Sequence, residues 1–231
     1  MTIKGVLFDF SGTLLRIESP ESWLRAVLAE TGTELAEAEV VRLAAELGRS
    51  GALPGGPSPE RLPPGLAALW EVRDRSAGRH RELYTGLARQ VPLPDDRLYD
   101  ALYDRHMTPA AWAPYPDAAE VLGELRRRGI RTAVVSNIGW DLRPVLRAHG
   151  LDRFVDGYVL SYEHGIQKPD PRLFEIACEE LGLAPTDVLM VGDDRTADGG
   201  ATALGCAYLP VDHLPVTERP DGLRPALALA G

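Results

Sequence analysis

The chain has 231 residues, 45% of them hydrophobic, which is enough to bury a full core and argues against disorder. Its formal net charge of −9 argues against a nucleic-acid partner, because binding a phosphate backbone takes a concentrated face of Lys and Arg. No stretch of eighteen apolar residues and no signal-peptide pattern occurs, so the sequence predicts a soluble, cytoplasmic protein with no membrane partner.

The first apolar run, "GVLFDF", enters a polar turn "SGT", the pattern of a buried parallel strand that carries Asp9 at its carboxyl end. Residues 17 to 112 read differently. The segments "SWLRAVLAETG", "EAEVVRLAAELGRS", "RHRELYTGLARQV" and "DRLYDALYDRHM" have helical spacing, with no strand run among them, and predict a helical insertion. Between them, "GALPGGPSPERLPPG" at 51 to 65 is rich in Pro and Gly and reads as an irregular loop, either a hinge or a helix connection.

From Tyr115 onward the pattern alternates. Asp117 stands three residues before Glu120 at the head of a helical run that stops at Gly129, which predicts a capped crossover helix. Three more strand-like runs follow at 132–137, 157–161 and 188–194, separated by helical patterns, and "CAYLPV" reads as one more. The expected fold class is therefore α/β, a Rossmann-like parallel sheet formed by residues 1–16 and 113–231, with residues 17–112 inserted as a helical cap. Cys178 and Cys206 lie in apolar patterns and read as buried small hydrophobes in a reducing compartment.

Open parallel sheets bind ligands beyond the carboxyl ends of their strands, so Asp9, Ser136 and Asp193 are expected to meet in one crevice. Four motifs in order, "DFSGT" at 9–13, "SN" at 136–137, "KP" at 168–169 and "GDDRTAD" at 192–198, make the sequence resemble the haloacid dehalogenase-like hydrolases. The resemblance covers the first sixteen residues and about 113 to 212, whereas the insertion matches only in kind, as a helical cap of the C1 type.

The resemblance implies that Asp9 is a nucleophile, forming a covalent intermediate that water later cleaves. It implies that Ser136 and Lys168 are catalytic, the hydroxyl bonding a phosphoryl oxygen and the ammonium neutralising the same group while holding Asp9 ionised. Lys168 stands out because the chain has only two lysines, Lys4 and Lys168, against 23 arginines. The resemblance also places Ser11, Gly12, Thr13 and Asn137 against substrate phosphate. Mg²⁺ would be held by Asp9, the backbone carbonyl of Ser11 and Asp193, with Asp194 and Asp198 supporting from behind.

One departure matters. Most phosphatases of this kind carry Asp two residues after the nucleophile, as the acid that protonates the leaving oxygen and the base that activates water; this chain has Ser11. Loss of such a group typically removes about 10²- to 10⁴-fold in rate. Haloacid dehalogenases also lack this Asp but do not use the metal aspartate, and phosphonate hydrolases need a cap Lys that is absent here. P-type pumps carry Thr there and hydrolyse their aspartyl-phosphate slowly.

The sequence thus predicts a Mg²⁺-dependent phosphohydrolase acting on a small phosphorylated metabolite, a monomer or homodimer. Two alternatives stand beside it: a metal-independent 2-haloacid dehalogenase, and a phospho-ligand-binding protein impaired in turnover. Glu18 is the nearest carboxylate to take over the role missing at Ser11. His80 and His106 read as packing residues. Trp70, Arg73 and Arg75 are the cap residues expected to line the crevice.

Overall fold

The computed structural model describes residues 2–230. At its centre is a five-stranded, all-parallel sheet in the order β5-β4-β1-β6-β7. The chain enters at β1 (Gly5–Phe8), whose four residues are all buried, as a central strand covered on both faces must be. A short β2 (Leu15–Ile17) follows and leads into five helices: α1 (Pro20–Thr31), α2 (Glu37–Ser50), α3 (Ala67–Trp70), α4 (Ala77–Ala88) and α5 (Arg97–His106). The chain returns through β3 (Trp112–Pro114), which pairs antiparallel with β2. This two-stranded ribbon, absent from the periodicity reading, joins the helical insertion to the sheet. Three residues per strand are too few for alternation to register.

Beyond the ribbon come α6 (Ala118–Arg127), β4 (Arg131–Ser136), α7 (Arg143–Ala148), β5 (Gly157–Leu160), α8 (Ser161–His164) and α9 (Pro171–Leu181). The chain ends with β6 (Val188–Gly192), β7 (Ala207–Pro210) and α10 (Pro225–Leu229). The predicted strands are all present, at nearly the predicted positions.

Successive residues of a strand point to opposite faces, and the core divides accordingly. Val6, Phe8, Val134, Leu189 and Val191 face the layer containing α6 and α7, in a cluster that continues through Phe10, Trp112 and Trp140 into the insertion. Leu7, Ala133, Val135, Val188 and Met190 face α9, whose Leu173, Phe174, Ala177 and Leu181 cover them. Within the insertion α1 starts where Ser19 accepts the Ser22 backbone N–H at 3.1 Å with Pro20 in the first turn, and stops at Gly32. Its buried Trp23 donates the indole N–H to the Leu102 carbonyl at 2.9 Å, which locks α1 to α5. Cys178 and Cys206 are both buried and unlinked, as expected.

One helix start differs from its expectation. Asp117 occupies the position before α6 but makes no side-chain cap there. It is buried, and its carboxylate accepts the backbone N–H groups of Leu223 and Arg224 at 2.7 and 3.2 Å. Glu120, expected to complete a capping box, instead pairs with Arg224 at 2.9 Å. Both acids therefore hold the C-terminal segment against α6.

Candidate active site

Asp9 follows β1 directly, and its backbone N–H donates to the Val191 carbonyl at 2.9 Å, so the ends of β1 and β6 fix where the carboxylate emerges. Ser136 closes β4 and Asp193 follows β6. The expected convergence is met. Asp9, Ser11, Ser136, Asn137, Lys168, Asp193, Asp194 and Asp198 all line one cavity of about 210 Å³ at the carboxyl edge of the sheet.

Lys168 is the hub. Its ammonium, 3% exposed, donates to Asp9 at 2.7 Å, to Asp198 at 2.6 Å and to the Val135 carbonyl at 2.9 Å, which uses all three of its protons. Asp198, expected behind the site, touches the lysine directly and also accepts the Asp194 backbone N–H at 3.0 Å. Asp9, Asp193 and Asp198 each offer an oxygen within 4.8 Å of the others'. Burial, together with the charges of Asp198 and Asp193, pushes the Asp9 carboxyl well up against the pull of Lys168. The lysine keeps its proton despite its burial because Asp198 and Asp9 flank it. Lysine alone therefore does not hold Asp9 ionised, as the sequence reading supposed. Two carboxylates share one ammonium, with a third, Asp193, close beside them.

Asp193 is held from two sides. Thr13 donates its hydroxyl to one carboxylate oxygen at 3.3 Å, and His213 Nδ1 contacts the other. Burial would raise its pKa, but the His213 hydrogen bond and the charges of His213 and Lys168 outweigh that and keep it below the usual value. Gly12 has a φ of +83°, which suits glycine, and a Cβ there would run into His213 and Asp193. Arg219, on the C-terminal segment, stacks its guanidinium 3.2 Å from the Tyr115 ring centroid and donates to the Gly12 carbonyl at 2.6 Å and to the Thr13 carbonyl. The turn after Asp9 is thereby pinned from a point two hundred residues away.

Several expected contacts take other forms. Thr13 is fully buried and, like Gly12, lies outside the cavity lining; both shape the turn instead. Asn137 spends its amide on Lys168, donating to the lysine carbonyl at 2.9 Å and accepting its backbone N–H at 2.7 Å. Asp194 caps its own turn, accepting the Thr196 and Ala197 N–H groups at 2.9 Å. Glu18 is directed elsewhere, paired with Arg105 at 2.8 Å and bonded by Ser22 at 2.6 Å, and does not reach the cavity. By contrast the Ser136 hydroxyl, 2% exposed, bonds no described protein group and faces the cavity.

The insertion forms the opposite wall. Trp70 and Arg73 line it as expected, and Arg75 does not. They are joined by residues the sequence reading passed over: Asp74, Tyr84, Trp112, Trp140, and the segment Leu53 to Ser58 of the Pro- and Gly-rich loop. That loop connects α2 to α3, as one of the two expected alternatives had it, and also forms part of the wall. Gly55, with φ +76°, packs so tightly that an added Cβ would meet Ser11 Oγ at 2.7 Å and the Trp112 ring at 2.9 Å. His80 also lines the cavity, bonding the Tyr103 hydroxyl through Nδ1 at 2.7 Å. His106 does not line it, and it stacks behind His80.

The family model described as haloacid dehalogenase-like hydrolase matches residues 3–203. The chain belongs to that family. Among its relatives is (S)-2-haloacid dehalogenase 4A of Burkholderia cepacia, 30% identical over 88% of this chain and 80% of that protein. Glyceraldehyde 3-phosphate phosphatase of Methanopyrus kandleri is 29% identical over 85% of this chain and 78% of its own. A crystal structure of a dehalogenase superposes with a TM-score of 0.65 at 26% identity, covering 90% of this chain and 84% of that one. As a haloacid dehalogenase-like hydrolase, the chain thus has relatives of both reaction types. No helix among the described residues is long and apolar enough to cross a membrane.

Proposed function

We propose that the chain is a Mg²⁺-dependent phosphohydrolase acting on a small substrate, with Asp9 as nucleophile. The observation that carries the reading is the charge balance: Asp9, Asp193 and Asp198 converge within 4.8 Å of one another, with the Lys168 ammonium on Asp9 and Asp198 and only the exposed His213 on Asp193. A buried excess of negative charge is costly unless a cation joins it. The donors are all hard oxygens, which suits a small divalent cation better than a soft one. Asp9, Asp193 and the Ser11 carbonyl would hold it, and when bound it neutralises charge on the phosphoryl oxygens.

The chain's own groups supply the rest. The unpartnered Ser136 hydroxyl is free to donate to a phosphoryl oxygen, and Lys168 offers positive charge on the same side. Asn137 fixes the lysine's backbone so that its ammonium stays beside Asp9. Phe10, Trp112 and Trp140 pack against one another along the cavity and exclude water.

A second reading, displacement of halide from a 2-haloacid by Asp9, is favoured by Ser11 and by this aromatic lining, since halide leaves without a proton. The relative from Burkholderia cepacia carries that activity in its name. The two readings separate in one assay of the purified chain against acetyl phosphate, p-nitrophenyl phosphate and 2-chloropropionate, with Mg²⁺ and with chelator, using Asp9→Asn as blank. Chelator-sensitive release of phosphate is expected; chelator-resistant release of chloride with no phosphate release would replace the first reading by the second.

A further inference from the structure

Asp74 lies on the insertion between α3 and α4 and is 4% exposed. Its carboxylate oxygens accept no hydrogen bond from any described donor, although the residue lines the cavity that holds Asp9. The nearest basic groups stand off: the Arg73 guanidinium with Nε at 3.4 Å and the His80 ring with Nε2 at 3.8 Å. Arg73 Nε is itself buried without a partner, so no hydrogen bond joins the two. An unbonded carboxyl so deeply buried is rare, and one facing a cavity is available to whatever enters it.

The backbone under this carboxyl is fixed to the sheet domain's own edge. Ser161, fully buried just past β5, donates its hydroxyl to the Asp74 carbonyl at 2.6 Å while accepting the Ile138 N–H at 2.9 Å. Gln167, one residue before Lys168, donates to the Glu71 carbonyl at 3.0 Å. The segment carrying Asp74 is therefore tied to the two loops that carry Ser136 and Lys168, which is the support a reacting group needs.

We propose that Asp74 is the general acid and base that Ser11 cannot be, an assignment that rests on the phosphohydrolase reading above. In the first step Asp9 attacks phosphorus as the bond to the leaving oxygen breaks, and the Asp74 carboxyl passes its proton to that oxygen, which departs as the neutral alcohol. In the second, a water oxygen attacks the phosphorus of the aspartyl phosphate while Asp74 takes a proton from it. The bond to Asp9 breaks, inorganic phosphate leaves, and both carboxyl groups return to their starting forms. Burial raises the pKa of Asp74, with Arg73 and Lys168 opposing, so the proton needed for the first step is held. The other titratable groups around it are His80 and Tyr84 from α4. His80 is kept neutral by burial and by the charge of Arg73, which leaves it a poor proton donor.

The test is a leaving-group series with Mg²⁺ on wild type and Asp74→Asn. Alkyl phosphates, which need a proton on the departing oxygen, are expected to lose about 10²- to 10⁴-fold in kcat/KM, which reports the steps through leaving-group departure, and acetyl phosphate, which needs none, much less. In the wild type the ratio of kcat/KM for alkyl over acetyl phosphate should fall as pH rises and Asp74 loses its proton, a readout that stands even where the variant fails to fold. Equal losses for both substrates, or a pH-independent ratio, would overturn the assignment while leaving Asp9-dependent turnover intact. Absence of any Asp9-dependent phosphate release from the wild type would sink the phosphohydrolase reading and this assignment with it.

Discussion

His106 is fully buried, its Nδ1 bonded to the Tyr103 carbonyl and its Nε2 buried without a partner. Burial lowers its pKa from 6.5 to about 3, because the ring cannot take a proton there without losing its hydration. The unfolded chain binds that proton below about pH 6.5 and the folded chain refuses it until far lower, so acid favours unfolding by about 1.4 kcal/mol per pH unit. Asp9, Asp74 and Asp198 have raised pKa values and pull the other way, so the histidine is isolated by difference. His106→Gln is expected to be less stable than wild type at pH 7.5, with the gap in melting temperature narrowing toward pH 5; a gap constant with pH would refute this. Asp9 and Asp193 were legible beforehand because each sits in a short motif at a strand end, and Lys168 because it stands in a Lys-Pro motif and is one of only two lysines. Asp74, His80, His213 and Arg219 were not, since a lone acid, histidine or arginine in a helical or loop pattern carries no local sign of what the fold will set against it.

The strands and long helices could be read from periodicity because burial on two faces, or one, imposes it over enough residues. The ribbon of β2 and β3 is too short for that, and the loop at 51 to 65 has no periodicity at all. What Pro and Gly composition concealed is that Gly55 approaches Ser11 and Trp112 too closely for any side chain. Gly55→Ala should therefore cost stability, about 1–2 kcal/mol from its left-handed backbone alone, and lower kcat/KM as the wall shifts. Gly65→Ala, where a Cβ meets nothing within 4 Å, is the control. Denaturation and kinetics on the pair check this, and equal effects on kcat/KM would remove the loop from the site.

On the scale of the molecule, the insertion and the sheet enclose about 210 Å³, below the roughly 300–1,000 Å³ typical of pockets for drug-sized ligands. Small acyl and alkyl phosphates are expected to turn over and nucleoside monophosphates to be rejected; comparable kcat/KM for the two would show that the walls open wider than their packing implies. That the insertion faces the crevice was expected, but which of its residues do so depends on how α3 and α4 dock, which no spacing records.

The order of the strands bears on how the chain comes into being. β1 is made before β4 and β6 yet lies between them in the sheet, and the partners for its two edges begin at Arg131 and Val188. During synthesis this wholly apolar segment must wait with both edges bare, which is the condition under which strands pair with the wrong neighbour. The Gly12 and Thr13 carbonyls wait longer still, for Arg219. A nascent chain halted before that point would have its Asp9 turn without its anchor, so the turn takes its final form only once Arg219 has been made.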